Sequence, residues 1–327
     1  MSIDASKIVV RKTGGPEVLE RESFDPGIPG PGEALIAQEA IGLNFIDTYF
    51  RTGLYPLPLP TGLGSEAAGI ILAVGEGVSN VRKGDRVAYV AQSPGSYATH
   101  RIQPANRLLK LPDAISCETA AGMTLKGLTA AFLVEECAKV TAGQTVLVHS
   151  AAGGVGSILV PWLKSIGAKV IAHSGSQEKA DRATAAGATH SLHDDFDALA
   201  ATVRDLTDGK GVDTVFDGVG AASWQASLDS LRPRGLMISF GNASGPVPPF
   251  SVQELAKRGS LFLTRPTMFD YIRSDEEYQQ LGARLFEQIA RDVVKPDINQ
   301  RFPLDEAADA HRALESRQTV GSTILIP

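Results

Sequence analysis

Cysteine is nearly absent from this chain: Cys117 and Cys137 are the two among 327 residues. That scarcity excludes a disulfide framework or a cysteine-built zinc site, and each thiol reads as a small buried residue. Long apolar runs are missing too. No stretch approaches the roughly 20 residues of a membrane-spanning helix, so no membrane role is expected. The segment from Met1 to Lys7 lacks the apolar core of a signal peptide, and a cytoplasmic location is expected. Basic excess is also lacking, since 31 Lys and Arg face 37 Asp and Glu for a net charge of −6. No basic run carries interleaved aromatics, and nucleic acid is not expected as a partner. Hydrophobic content of 43% with 21% charged residues belongs to a globular protein long enough for two domains.

What the chain does have is a strand, a glycine turn and a helix around Gln144–Gly167. Thr145 to His149 is a short β-branched and apolar run, as in a buried parallel strand. Small residues from Ser150 to Gly156 follow, then an apolar segment of helical character. The spacing is Ala151-x-Gly153-x-x-Gly156, with alanine in place of the first glycine of a dinucleotide fingerprint. Glycines let the backbone approach a pyrophosphate, and the N–H groups at the helix start face the anion. Gly153, Gly154 and Val155 are therefore candidate pyrophosphate contacts.

A second strand, Ala168 to His173, ends about 20 residues beyond the glycines, where a dinucleotide's ribose is recognised. An acidic residue there would favour NAD. This chain instead reads His173-Ser174-Gly175-Ser176-Gln177-Glu178-Lys179. Ser174, Gly175, Ser176 and Lys179 suit a 2′-phosphate, so NADPH is the expected cofactor.

Residues 1 to about 110 are β-rich, with short strands and frequent glycines that suggest a distorted barrel. Expected strands include 7–11, 33–40, 68–74 and 87–91, with a loop over 24–32 and a tight turn at Lys83-Gly84-Asp85. Pro112 to Cys137 is helical in composition. Beyond Gln144, strands are expected at 145–149, 169–173, 189–192, 212–216, 235–240 and 260–264. Helices fit at 177–186, 195–207 and 222–231. Six strands with crossover helices spell an α/β, doubly wound parallel sheet of the Rossmann type. Pro161 sits inside the glycine-turn helix and should kink it. A helix over 274–289, an extended segment over 295–302, a helix over 305–315 and a strand over 321–326 are expected to return to the first domain.

Several strings appear in order: Gly14-Gly-Pro-Glu-Val-Leu19, Gly42-Leu-Asn-Phe-Ile-Asp47, Gly53-Leu-Tyr-Pro56, Gly64-Ser-Glu66, Lys83-Gly-Asp-Arg-Val87, Ala151-Ala-Gly-Gly-Val-Gly156 and Ser239-Phe-Gly-Asn242. Together they resemble the medium-chain dehydrogenase/reductase superfamily, in its zinc-free quinone oxidoreductase branch, over essentially the whole chain. The resemblance implies a GroES-like, β-barrel-type catalytic domain (1–125 and 267–327) split around a Rossmann domain (126–266). It also implies an active site in the cleft between them, and a homodimer.

The superfamily's alcohol dehydrogenases hold a catalytic zinc with a cysteine where this chain has Asn44 and a histidine where it has Ser65. Neither replacement supplies the thiolate or imidazole of a tetrahedral zinc site. His190 and His193, followed by Asp194 and Asp195, form the one metal-like cluster and read as a solvated turn. No metal is expected.

Without a Lewis acid the substrate must accept hydride readily, as quinones and enones do. The resemblance carries Asn44, Tyr49 and Tyr55 to the catalytic site. Asn44 would donate an amide hydrogen bond to the acceptor oxygen or position the nicotinamide, and Tyr55 is the candidate acid. Asn44, Phe45, Thr129, Phe240, Asn242, Pro266 and Arg317 match family positions that flank the nicotinamide and phosphates. Where similar reductases place a tyrosine on the 2′-phosphate, this chain has Asp194 beside His193, which works against NADPH. The expected activity is NADPH-dependent quinone reduction. An enone or enoyl reductase and a noncatalytic NADPH-binding protein are the alternatives.

Overall fold

The computed structural model describes residues 4–316 and 319–327. It divides into two compact units: the described parts of Met1–Leu128, Ile272–Ala290 and Pro296–Pro327, and Thr129–Tyr271 with Arg291–Lys295. The joins expected at 125/126 and 266/267 thus fall at 128/129 and 271/272. The first is hidden from sequence because one helix runs through it.

The first unit opens with strands β1 (Ala5–Val10), β2 (Leu19–Phe24) and β3 (Glu33–Leu43), then helix α1 (Phe45–Thr52). Strands β4 (Thr61–Gly62), β5 (Glu66–Val74), β6 (Arg86–Val90), β7 (His100–Pro104) and β8 (Leu109–Lys110) follow. Helix α2 (Cys117–Ala131) leads into six residues of π-helix, Phe132–Cys137.

In the second unit the strands are β9 (Thr145–His149), β10 (Lys169–His173), β11 (His190–Leu192), β12 (Val212–Asp217), β13 (Leu231–Ser239) and β14 (Phe262–Thr264). Its helices are α3 (Gly156–Ile166), α4 (Gln177–Ala186), α5 (Phe196–Leu206), α6 (Trp224–Ser230) and α7 (Gln253–Lys257). The chain closes in the first unit with α8 (Asp275–Ala290), β15 (Ile298–Pro303), α9 (Ala307–Glu315) and β16 (Ser322–Ile326).

Among the described residues the second unit's strands form one parallel sheet in the order β11-β10-β9-β12-β13-β14. This is the doubly wound order, with its switch point between β9 and β12. Helix α3 runs through Pro161 unbroken from Gly156 to Ile166. Strand β13 starts at Leu231, four residues before the expected start at 235. Leu231 pairs with Val212 ahead of a register shift, and Pro233 and Gly235 disguise that pairing as a turn.

In the first unit, the path β15-β16-β3-β5-β6-β8, with β7 on β3, makes a seven-stranded sheet beside a three-stranded one, β2-β1-β4. The last strand therefore returns to the barrel, pairing Ile324 with Gly42. Ile36, Ile41, Leu63, Ile71, Val87 and Leu325 fill its core. A side chain at Gly69 would meet the carbonyl oxygen of Ala37 at 2.0 Å, so the crossing of β5 over β3 requires glycine there.

Candidate functional site

In the first unit, helix α1 gathers several of the candidate residues. Asp47, Thr48 and Arg51 face inward while Phe45 and Tyr49, four residues apart, share a half-buried face. The helix is tied at its start, where the backbone N–H of Asn44 donates to Asp47 Oδ2 at 2.9 Å. Gly53, at φ 84°, turns the chain out of the helix in a left-handed cap. Tyr55 then folds back: its N–H donates to the Tyr49 carbonyl at 3.1 Å, and the two rings meet edge to face at 5.3 Å. The structure thus brings Tyr49 and Tyr55 together, with Phe50 against Tyr55 at 6.0 Å.

Asn44, expected to donate to the acceptor oxygen or to position the nicotinamide, has its amide nitrogen donating to Glu66 Oε1 at 2.8 Å and 3.4 Å from the Gly42 carbonyl. Both neighbours are acceptors, which fixes the amide's direction. Glu66 is fully buried, and it also accepts from Lys126 Nζ at 3.2 Å and from the Leu125 N–H at 2.6 Å. A buried carboxylate needs such compensation. A side chain at Gly42 would strike Glu66 Oε1 and the Ala121 carbonyl, each at 2.3 Å, so glycine is needed beside this cluster.

Ser65 donates to Asp47 Oδ1 at 2.8 Å. The two positions that hold thiolate and imidazole in the zinc dehydrogenases are therefore engaged in protein hydrogen bonds. His190 and His193 are both exposed at the β11 edge. Among the described residues no group of three His, Cys, Asp or Glu is placed to hold a metal ion. Burial pushes the Cys117 thiol up to about 12 and raises that of Cys137, so neither is a ready nucleophile.

Asp47 sits at the head of a buried chain. Tyr97 donates to its Oδ2 at 3.1 Å, His311 Nε2 lies 3.1 Å from the Tyr97 hydroxyl, and Arg51 Nη1 lies 2.9 Å from His311 Nδ1. Arg51 also bridges to Glu315 at 2.6 Å. Burial drives the Asp47 carboxyl up to about 7 despite three hydrogen bonds, and holds His311 down to about 3 with help from the Arg51 charge.

In the second unit the candidate cofactor residues lie on the carboxyl edge of the parallel sheet. Ser150, at φ 51°, follows β9, and the turn closes through Gly153 N–H to the Ser150 carbonyl at 2.8 Å. A side chain on Gly156 would meet that same carbonyl at 2.3 Å and Ala151 Cα at 2.7 Å. The third glycine is therefore obligatory, whereas Ala151 is tolerated because its methyl is buried within the turn. Val155 caps α3, and the first turn is tied back to the glycine turn: Ser157 N–H donates to the Gly153 carbonyl at 2.8 Å and Leu159 N–H to the Val155 carbonyl at 2.9 Å.

At the end of β10, Ser174 Oγ is buried and has no hydrogen-bond partner, one of two such side-chain atoms among the described residues. Orphaned buried hydroxyls are costly and call for a ligand. Gly175 beside it has open space where a side chain would stand. Ser176 caps α4 by accepting the Lys179 N–H at 3.4 Å, and Lys179 is half-buried on that first turn. The Asp194 carbonyl accepts from His173 Nε2 at 2.9 Å, which ties that segment to the strand end.

Phe240 and Asn242 follow β13. The Phe240 N–H donates to the Asp217 carbonyl at 2.8 Å, and Arg265, next to Pro266, donates to the Ser239 carbonyl at 2.8 Å. Thr129 is half-buried near the end of α2. Arg317 lies outside the described residues. Sequence reasoning missed Glu66, Lys126, Asp47, Tyr97, His311 and the pair His149–His173. The acid in Gly64-Ser-Glu66 and the two strand-terminal histidines were the available signals.

A GroES-like barrel interrupted by a doubly wound sheet, with a glycine turn on the sheet's carboxyl edge, defines a dinucleotide-dependent oxidoreductase of the medium-chain type. Residues 30–113 match the alcohol dehydrogenase GroES-like domain family, and residues 154–287 match the zinc-binding dehydrogenase family. Over 99% of this chain and the whole of each relative, it is 46% identical to a quinone oxidoreductase of Pseudomonas aeruginosa and 47% identical to one of Salmonella typhimurium. The solved structure of Escherichia coli quinone oxidoreductase complexed with NADPH superposes with a TM-score of 0.95 at 44% identity, covering 98% of this chain and 100% of that one. The chain belongs to the quinone oxidoreductase family of the medium-chain dehydrogenase/reductase superfamily.

Proposed function

We propose that this protein is an NADPH-dependent quinone reductase, transferring hydride to a quinone without a metal. The observation that carries the cofactor half of this reading is the Ser174 hydroxyl, buried and unpartnered at the strand end where a 2′-phosphate is expected. Ser174, Gly175, Ser176 and Lys179 receive that phosphate, and Gly153, Gly154 and Val155 meet the pyrophosphate at the start of α3. Phe45, Thr129, Phe240, Asn242 and Pro266 complete the cofactor's contacts. The bound cofactor supplies the hydride.

The chain's own residues place the acceptor and supply its proton. Quinone, NADPH and one proton give hydroquinone and NADP+, so one oxygen must gain a proton as charge reaches it. Tyr55 donates that proton and Tyr49 holds its ring edge to face. Asn44 acts by position, since its amide nitrogen is bound to Glu66 while Lys126 balances the carboxylate's charge.

The working form is a cytosolic homodimer joined through β14. Phe262 on that outermost strand is 61% exposed, and an open apolar edge invites pairing with a second copy.

The test is cofactor oxidation by the purified protein with 1,4-benzoquinone, 9,10-phenanthrenequinone and an enone offered in parallel. Turnover with the quinones, faster with NADPH than NADH, is expected. Turnover with the enone alone would transfer the reading to an enoyl-type reductase. Cofactor binding without turnover would leave a noncatalytic binding protein.

A further inference from the structure

A chain of buried polar groups runs beneath the strand ends of the parallel sheet, and its hydrogen bonds can be counted. Asp217 Oδ2 accepts from Ser223 and Ser227 at 2.6 Å each, while its Oδ1 accepts the N–H groups of Val219 and Gly220 at 2.7 and 3.1 Å. Ser227 Oγ lies 2.8 Å from His149 Nε2, His149 Nδ1 lies 3.3 Å from His173 Nδ1, and His173 Nε2 lies 2.9 Å from the Asp194 carbonyl. From Asp217 to Asp194 there are four successive contacts, each of which needs one hydrogen.

The ends of the chain fix both ring tautomers. Ser227 has a single hydrogen, which a carboxylate oxygen at 2.6 Å claims, so its oxygen must accept from His149 Nε2–H. The Asp194 carbonyl can only accept, so His173 carries its hydrogen on Nε2. With both rings neutral, the two Nδ1 atoms then face each other with lone pairs and no hydrogen between them. Their 3.3 Å separation, wider than the other three contacts, fits that count. Burial holds both imidazoles neutral by lowering their pKa values, against the opposing pull of Asp217. Phe196 closes the pocket against both rings. The charges that face the pair are Asp217 from β12, and Asp194 and His193 from the loop after β11.

His173 is the residue immediately before Ser174, whose buried hydroxyl has no partner. We infer that His149 and His173 take up a proton when a 2′-phosphorylated dinucleotide seats at Ser174, and that this uptake makes the pair a determinant of cofactor choice. The inference rests on the NADPH reading above. A dianion arriving at Ser174, one residue along the chain from His173, favours the cationic form of the pair through its charge, and the added proton completes the one contact that lacks a hydrogen. A dinucleotide without the 2′-phosphate brings no such charge and draws no proton. The pair acts through the phosphate site and positions no reacting atom.

Linkage fixes the sign. A group that gains a proton on binding makes affinity fall as pH rises through the window between its free and bound pKa values. The phosphate's own second ionisation, near pH 6, has the opposite sign, because its dianion binds better.

Titration calorimetry of the intact protein with NADPH and NADH, in buffers of differing ionisation enthalpy, reads the proton number directly. At about pH 7 we expect a net proton uptake on binding NADPH and none on binding NADH. The Kd for NADPH should rise by up to about tenfold per pH unit while that for NADH stays flat. His173→Asn should abolish the uptake. Ser227→Ala should reduce it, because His149 is then free to carry its one hydrogen on Nδ1 and fill the contact itself. A purely structural serine would not alter a proton count. Preferred NADPH binding with no proton uptake, or with uptake equal to that of NADH, overturns the inference and leaves the cofactor reading intact. Equal affinity for both cofactors, or no binding of either, overturns both.

Discussion

In the barrel domain a buried chain runs from Arg51 through His311 and Tyr97 to Asp47, and in the Rossmann domain another runs from Asp217 through Ser227 and His149 to His173. Both include histidines whose burial holds them neutral. They differ in hydrogen count. Arg51 donates to His311 Nδ1, which leaves His311 Nε2–H for Tyr97 and the Tyr97 hydroxyl for Asp47, so every contact is supplied. The Rossmann chain, bounded by acceptors at both ends, is one hydrogen short. A complete chain clamps, whereas an incomplete one can respond to a charge brought from outside. The chain that clamps includes Asp47 and Arg51 of α1, the helix that carries Tyr49. The chain that responds lies under the strand ends of the parallel sheet, next to Ser174.

The largest expected effect is at the clamp's cationic end. Arg51 is 1% exposed and serves Glu315, the Gly14 carbonyl and His311 together. Arg51→Leu strips all three acceptors and should cost about 3 kcal/mol in urea unfolding. A loss below about 1 kcal/mol would mean that the barrel chain holds nothing in place.

The clamp also carries a pH signature. Asp47 is raised to about 7, so between about pH 4 and 7 the folded state binds a proton that the unfolded state has released. Its contribution to stability is most favourable near pH 4 and is lost as pH rises to 7. The histidines held neutral act in the opposite sense, losing stability as pH falls below their unfolded values. The Asp47 contribution is therefore read as the difference between the wild-type and Asp47→Asn unfolding curves across that range. A difference independent of pH would remove the buried acid from this account.

A smaller effect falls on the cofactor side. Lys179→Ala should raise the Kd for NADPH about tenfold, the worth of a charge-assisted hydrogen bond, and leave that for NADH nearly unchanged. Equal weakening of both would place Lys179 in α4 stability instead of at the phosphate.

The sheet was legible because parallel strands are short apolar runs punctuated by glycines: 145–149, 169–173 and the helix 177–186 stand where expected. Strand β13 was misjudged at its start because Pro233 and Gly235 read as a turn, and only the partner Val212 reveals the pairing. Helix α1 carried a motif, but its eight residues lie in a stretch that reads as β-rich. The buried chains were illegible for a different reason. Asp47, Tyr97 and His311 lie far apart in sequence, and nothing in a single histidine announces which atom its second nitrogen will face. Asn44 shows the same limit: its motif marked it, but only Glu66, 22 residues away, decides where its amide points.

The smallest predicted change in stability is also the sharpest separator of the two chains. Ser227→Ala removes one of four donors to Asp217, and Ser223, Val219 and Gly220 remain. Its cost should be about 1 kcal/mol or less, well below that of Arg51→Leu. Tyr97→Phe, the corresponding break in the barrel chain, leaves His311 Nε2–H without an acceptor and takes a donor from Asp47, so it should cost about 2 kcal/mol. If the two substitutions proved equally costly in urea unfolding, the Rossmann chain would be as much a clamp as the other. A cheap Ser227→Ala beside a costly Tyr97→Phe is the pattern of one chain closed on itself and one left free to take up a proton.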